Sequence, residues 1–243
     1  MKLNEDKTEF LYFGSPYFLN KLQKSSLLIG DEEIHPTDSV RNIGAFMDSA
    51  LHMDNQVNQV CKGAWFHLRN IGKIRSYLTN DTTEKLIHAF VSSKLDNNNG
   101  LLYGIPKKKT SRLQRVQNAA AKLVTRRKKF DHVTPILKSL HWLPIAHRID
   151  YKILLLTFKS LIGEAPSYLQ DMLKISDQSH TLRSNGQNLL LCPRSKSVRY
   201  MDRSFQVAGP TLWNELPEHI QLSKCITQFK SKLKTHLYRL AYQ

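Results

Sequence analysis

Two patterns of hydrophobic and polar positions divide the chain. Up to about residue 52 the apolar residues come in short runs. Glu9–Phe13 (E-F-L-Y-F), closed by Gly14, Ser15 and Pro16, predicts a short buried strand ending in a turn. Leu27–Ile29, Gly30-Asp31 and Glu32–Ile34 predict a hairpin that turns at Gly-Asp, and Val40–Met47 is a further apolar run broken at Gly44. Such strands are too few to close a sheet by themselves.

From Met53 the period becomes helical. Val57, Val60, Cys61, Ala64, Leu68 and Ile71 recur on one face, while Lys62, Arg69 and Lys73 fall together on the opposite face with Phe66 beside them. Asp81, with Glu84 three residues on, predicts an N-terminal cap for a helix running through Lys94, and Asp96–Asn99 with Gly100 predicts its end. Ser111 with Gln114 predicts the opening of a third helix. Its buried side is Leu113, Val116, Ala120, Leu123 and Val124, and Arg112, Arg115, Lys122 and Arg126 line another side. Residues Arg148–Ile162 are apolar nearly all round, which predicts a central buried helix ended by Gly163 and Pro166. Past Met172 the chain reads as irregular, with polar loops over Asp177–Gln187 and a strand at Leu189–Cys192. A last helix follows over Ile226–Leu240. The predicted fold class is mainly α with a small N-terminal β portion.

Charge adds direction to this picture. The chain of 243 residues carries a net charge of +16, which points to a polyanionic partner, nucleic acid or an anionic membrane surface. Residues 1–60 hold 5 Lys/Arg against 9 Asp/Glu, residues 61–160 hold 20 against 5, and residues 161–243 hold 11 against 6. The anion-binding surface is therefore expected in the middle, on the basic helix faces: Lys62, Arg69 and Lys73 on one, Arg112, Arg115 and Lys122 on the other. Phosphate contact by such side chains supplies affinity without reading sequence. The runs Lys107–Lys109 and Arg126–Lys129 alone read as solvated loops or as contact sites.

Candidate chemistry is sparse. A polymerase needs paired carboxylates to hold two Mg²⁺ ions, and no Asp-Asp pair occurs in the sequence. Asp31-Glu32-Glu33 reads as a solvated acidic turn, and no glycine-rich phosphate loop is present. None of the 10 histidines stands at ligand spacing with another His or a Cys, so no metal site is expected. His141 and His147 read as packing residues. Cys61, Cys192 and Cys225 form no disulfide or zinc pattern, and Cys61 lies on its helix's apolar face as a buried thiol. The first ten residues are mostly polar or charged, unlike a secretory leader. The greasiest stretch, Ile153–Thr157, is flanked by Lys152 and Lys159 and is too short to span a bilayer. The expectation is an intracellular protein, nuclear or cytoplasmic, with no membrane partner and no small-molecule substrate.

Seven segments, in order, carry a resemblance. They are K-L-N-E-D-K-T-E-F-L-Y-F-G (Lys2–Gly14), S-V-R-N-I-G (Ser39–Gly44), V-C-K-G-A-W-F-H-L-R-N-I (Val60–Ile71) and L-L-Y-G-I-P (Leu101–Pro106). L-Q-R-V-Q-N-A-A-A-K-L-V (Leu113–Val124), L-H-W-L-P (Leu140–Pro144) and L-W-N-E-L-P (Leu212–Pro217) complete the set. Together they resemble the C-terminal part of the non-LTR (LINE-type) retrotransposon reverse transcriptases, over almost the whole chain. The resemblance implies that residues 1–52 are the end of a palm, 53–130 a thumb-like basic helical region and 131–243 a mostly helical region that follows. It implies that Lys7 lies near the phosphates of an incoming nucleotide, that Ile43 and Gly44 form a primer-grip-like turn, and that the thumb holds RNA, RNA–DNA or DNA duplex by its backbone. Mg²⁺ belongs to the intact parent RNA-directed DNA polymerase, whose aspartates are expected upstream of Met1. The chain is thus expected to be a truncated, non-enzymatic segment without a cofactor of its own. The other reading is a free-standing or domesticated basic nucleic-acid-binding protein. One stretch departs from relatives: where they read S-R-L-D-Y-C-N-S, this chain has Ser93-Lys94-Leu95-Asp96-Asn97-Asn98-Asn99-Gly100.

Overall fold

The computed structural model describes residues 8–23, 25–30, 32–176, 189–194 and 201–243. It is mostly helical, with two small antiparallel hairpins near the N-terminus, the fold class read from the sequence. A short helix α1 (Pro16–Lys21), capped by the Ser15 hydroxyl, precedes β1 (Leu27–Ile29) and β2 (Glu32–Ile34), which pair with Leu27 opposite Ile34. β3 (Ser39–Asn42) pairs with β4 (Ala45–Asp48), Asn42 opposite Ala45. Ile43 (φ 46°) and Gly44 (φ 78°) form the two-residue turn between them, both in the left-handed region that tight hairpins require.

The strand expected over Glu9–Phe13 is not formed. Phe10 makes a single parallel bridge with Pro36, its carbonyl accepting the Thr37 N–H at 2.8 Å. Beyond that residue the segment joins no backbone ladder among the described residues, and Pro16 starts α1 instead. The strand expected at Leu189–Cys192 likewise shrinks to one bridge, Leu190 with Ile175. The polar loops over Asp177–Gln187 lie outside the described residues.

The helices follow the apolar stripes. α2 (Asp54–Lys73) buries Val57, Cys61, Ala64, Leu68 and Ile71. α3 (Asn80–Ile87) runs through a π-helical stretch, His88–Ser92, into α4 (Ser93–Asp96). Its cap is Thr79, whose hydroxyl accepts the Thr82 N–H, rather than Asp81, which pairs with Lys85 at 2.7 Å. Then come α5 (Lys107–Val124), α6 (Val133–Ser139), α7 (Ile145–Leu161), α8 (Ser167–Gln170), α9 (Phe205–Asn214), α10 (Glu218–Gln221) and α11 (Ile226–Tyr242). α5 opens four residues before the expected Ser111, directly after Pro106.

Two cores meet on α7. Met53, Leu68, Val91, Leu113, Val116 and Ile136 form one together with Ile149 and Ile153. Leu154 and Phe158 turn to the other, with Trp213, Ile220, Leu233 and Phe229, whose ring stacks on Phe158 at 4.1 Å between centroids. α7 thus buries two sides, while Lys152 stays exposed, so it is less uniformly apolar than its sequence suggests. Among the described residues no helix is long and apolar enough to cross a membrane.

Candidate nucleic-acid interface

α2 and α5 pack along their lengths and run parallel. Lys109, early in α5, reaches Asp54 at the start of α2 (2.9 Å) and the His52 carbonyl (2.7 Å). At the far end, Arg75, two residues past α2, donates to the carbonyls of Leu123 (2.8 Å) and Val124 (2.8 Å) at the end of α5. Both C-termini therefore point the same way.

The outer face of α2 presents Lys62, Phe66, Arg69 and Lys73, all exposed. At 1.5 Å rise per residue the stripe is roughly 16 Å long, about five phosphates of one strand at 3.4 Å each along a duplex axis. Beside it His67 stacks on Phe90 at 5.3 Å and touches Phe66 edge-on at 5.4 Å. Among the described residues no carboxylate pairs with Lys62, Arg69 or Lys73; the ion pairs of lysine and arginine use Lys85, Lys109 and Arg148.

Lys62 also lines a cleft of about 670 Å³ between α2, α4 and the β3–β4 turn, with Gly44, Arg41, Lys94 and Phe66. Gly63 makes that possible: a β-carbon there would sit 3.3 Å from the Lys94 side chain, which crosses α2 at this point. The hairpin tip docks on the asparagine run, the Asn98 side-chain amide donating to the Ile43 carbonyl at 3.2 Å. Asn98 itself has φ 52°, a conformation asparagine tolerates well.

Arg115 and Lys122 line a separate groove of about 680 Å³, together with Arg75, Arg126, Arg127 and Lys129. Arg75 forms its floor. It is only 7% exposed, donates also to Leu78 and Asn80, and so ties the ends of α2 and α5 to the start of α3. Its burial and the nearby Arg126 both lower its proton affinity, yet a guanidinium stays charged. Arg75, which organises the groove, was not among the residues singled out from the sequence. Its signal was legible: it continues the apolar register of α2 one turn past Ile71, where a charge is out of place.

The sites expected from the sequence thus separate. Gly44 and Lys62 meet in the cleft, Arg115 and Lys122 in the groove, and Arg69 and Lys73 lie on the open face. Ile43 is at the tip, 87% exposed. Arg112 is half-buried against α2, where its charge opposes the rise that burial gives the Cys61 thiol. Lys7 lies outside the described residues.

A second set of titratable groups lies on α7. Asp150 is pushed up to about 6 by burial and then by Glu215, while burial lowers His147, whose Nδ1 is 3.8 Å from the Asp150 carboxylate. Among the described residues no three His, Cys, Asp or Glu side chains converge as metal ligands. Compared with protein-family models, with curated proteins and with solved structures, the chain matches none.

Proposed function

We propose that this chain holds RNA–DNA or DNA duplex by its phosphate backbone, without regard to sequence, in the manner of a non-LTR reverse transcriptase thumb. The observation that carries the reading is the basic stripe Lys62, Arg69 and Lys73 along α2, without a carboxylate partner among the described residues, in the segment that holds 20 Lys/Arg against 5 Asp/Glu. Cations that lack carboxylate partners gain by releasing the counterions of a polyanion. With no adjacent aspartates to hold Mg²⁺, the proposal assigns binding to this chain and chemistry to none of its residues.

A specific observation favours the free-standing form of this reading. The β3–β4 hairpin finds its partners inside the chain: Ala45 is 2% exposed, and the Phe46 N–H donates to the buried Gln56 side chain at 2.9 Å.

Replacing Lys62, Arg69 and Lys73 together by Gln tests the proposal, with affinity for a random-sequence RNA–DNA duplex followed by fluorescence anisotropy across a salt series. Each lost phosphate contact lowers the log–log slope by about 0.9, so the three together lower it by roughly 2.7. An unchanged slope would reduce this face to solvated surface.

A further inference from the structure

We propose that the groove floored by Arg75 binds single-stranded nucleic acid, with phosphates among its cations and one base stacked on Phe130. This rests on the nucleic-acid reading above but assigns a different strand form to a different surface.

Six lining residues of the groove are Lys or Arg, and none is Asp or Glu. Cations do gather at helix C-termini, where α2 and α5 both end. Each helix end is worth roughly −0.5 of a charge, so two ends offset about one of the six. The excess calls for an outside anion, and a groove of about 680 Å³ has room for more than one phosphate.

The loop that follows α5 is built to hold its shape. The Arg127 N–H donates to the Lys122 carbonyl (3.0 Å), and Lys122 Nζ donates to the Lys129 carbonyl (2.6 Å). Asp131 closes the turn by accepting the Lys128 N–H at 2.9 Å. Arg126 sits at φ 52° and donates to the Leu78 carbonyl at 3.1 Å. This framework leaves Phe130 90% exposed, with the Lys129 ammonium 5.7 Å from its ring centroid. A rigidly presented aromatic next to a cation-lined groove is the arrangement that binds single strands, phosphates in the groove and a base on the ring. A duplex keeps its bases stacked and cannot use Phe130.

The test uses the full chain and three probes: labelled dT octamer, an abasic octamer with the same phosphates, and a random-sequence duplex. Wild type is expected to prefer the dT octamer over the abasic one by at least about 5-fold, the worth of one stacked base. Phe130→Ala should abolish that preference and leave the salt slope unchanged. Arg127→Gln with Lys129→Gln should lower the single-strand slope by about 1.4, at 0.7 per phosphate, and leave duplex affinity nearly unchanged. Equal binding of the two octamers by wild type, or no effect of Phe130→Ala on their ratio, overturns the proposal and makes the groove a general polyanion site. If the α2 triple variant still flattens the duplex slope in that case, the duplex reading stands alone. If none of the probes binds with salt dependence, both fall.

Discussion

Ile43 is a β-branched residue at φ 46° whose side chain is 87% exposed. The left-handed conformation costs such a residue roughly 1–2 kcal/mol, and the exposed side chain returns little of it. Asn-Gly is the preferred pair for this turn. Ile43→Asn is therefore expected to stabilise the protein by about 1 kcal/mol, seen as a higher midpoint in urea with the m-value unchanged. Destabilisation would mean that the Ile43 side chain makes contacts worth more than the strain. Asp150 carries strain of another kind. Its folded pKa of about 6 lies above the unfolded value, so the native state binds the extra proton. Stability then falls as pH rises from about 4 to about 6, and the penalty persists above that. Asp150→Asn removes it and should stabilise by on the order of 2 kcal/mol at pH 7.5, the gain vanishing near pH 4. Equal effects at both pH values would show that folding does not raise the Asp150 carboxyl.

At the scale of elements, long amphipathic stripes were legible because burial on one side imposes a 3.6-residue period: α2, α5 and α11 follow it, whereas α7, which meets both cores, was legible by its apolar run. The first hairpin was legible through Gly30, while Gly44 marked only a break in an apolar run. What escaped depended on partners distant in sequence. Glu9–Phe13 has strand-like residues but, among the described residues, pairs only through Phe10 with Pro36. α9, which contains Gly209 and Pro210, lies in the stretch past Met172 that reads as irregular. Its glycine is there for packing: a β-carbon at 209 would lie 2.9 Å from Thr157 Oγ1 on α7, so close helix approach outweighs propensity. The sequence also suggests that residues 9–47 lack partners in the chain and that a protein starting near Met53 is the better behaved. The structure reverses this for β3 and β4. Asp48 accepts the N–H groups of His52 (2.7 Å) and Met53 (2.6 Å) ahead of α2, and Arg203 donates to the Leu51 carbonyl at 2.7 Å. By contrast α1 buries no residue, and β1 and β2 are largely exposed. A protein starting at Asp38 should keep the thermal midpoint of the full chain within a few degrees, while one starting at Met53 should lose at least about 2 kcal/mol of stability. Equal stability of the two would show that the hairpin contributes nothing to the helices.

Over the whole molecule, charge and packing divide the labour. The two cores are joined by α7, and the cations cluster away from them, along α2 and at the shared C-terminal end of α2 and α5. The six candidate cations were legible as helix faces. Their separation was not: five divide between an open stripe, a cleft and a groove while Arg112 is half-buried against α2, because this depends on α2 and α5 running parallel and on Arg75 linking their ends. Lysine footprinting measures that division directly. The chain is acetylated with and without a random-sequence RNA–DNA duplex at low salt, and each lysine is quantified by mass spectrometry. Lys62 and Lys73 should be protected several-fold by the duplex, whereas Lys85, paired with Asp81 on α3, and Lys224 and Lys230 near and on α11 should react as in the free protein. Protection spread evenly over all exposed lysines, or concentrated on α11, would contradict the assignment of the α2 face as the nucleic-acid interface.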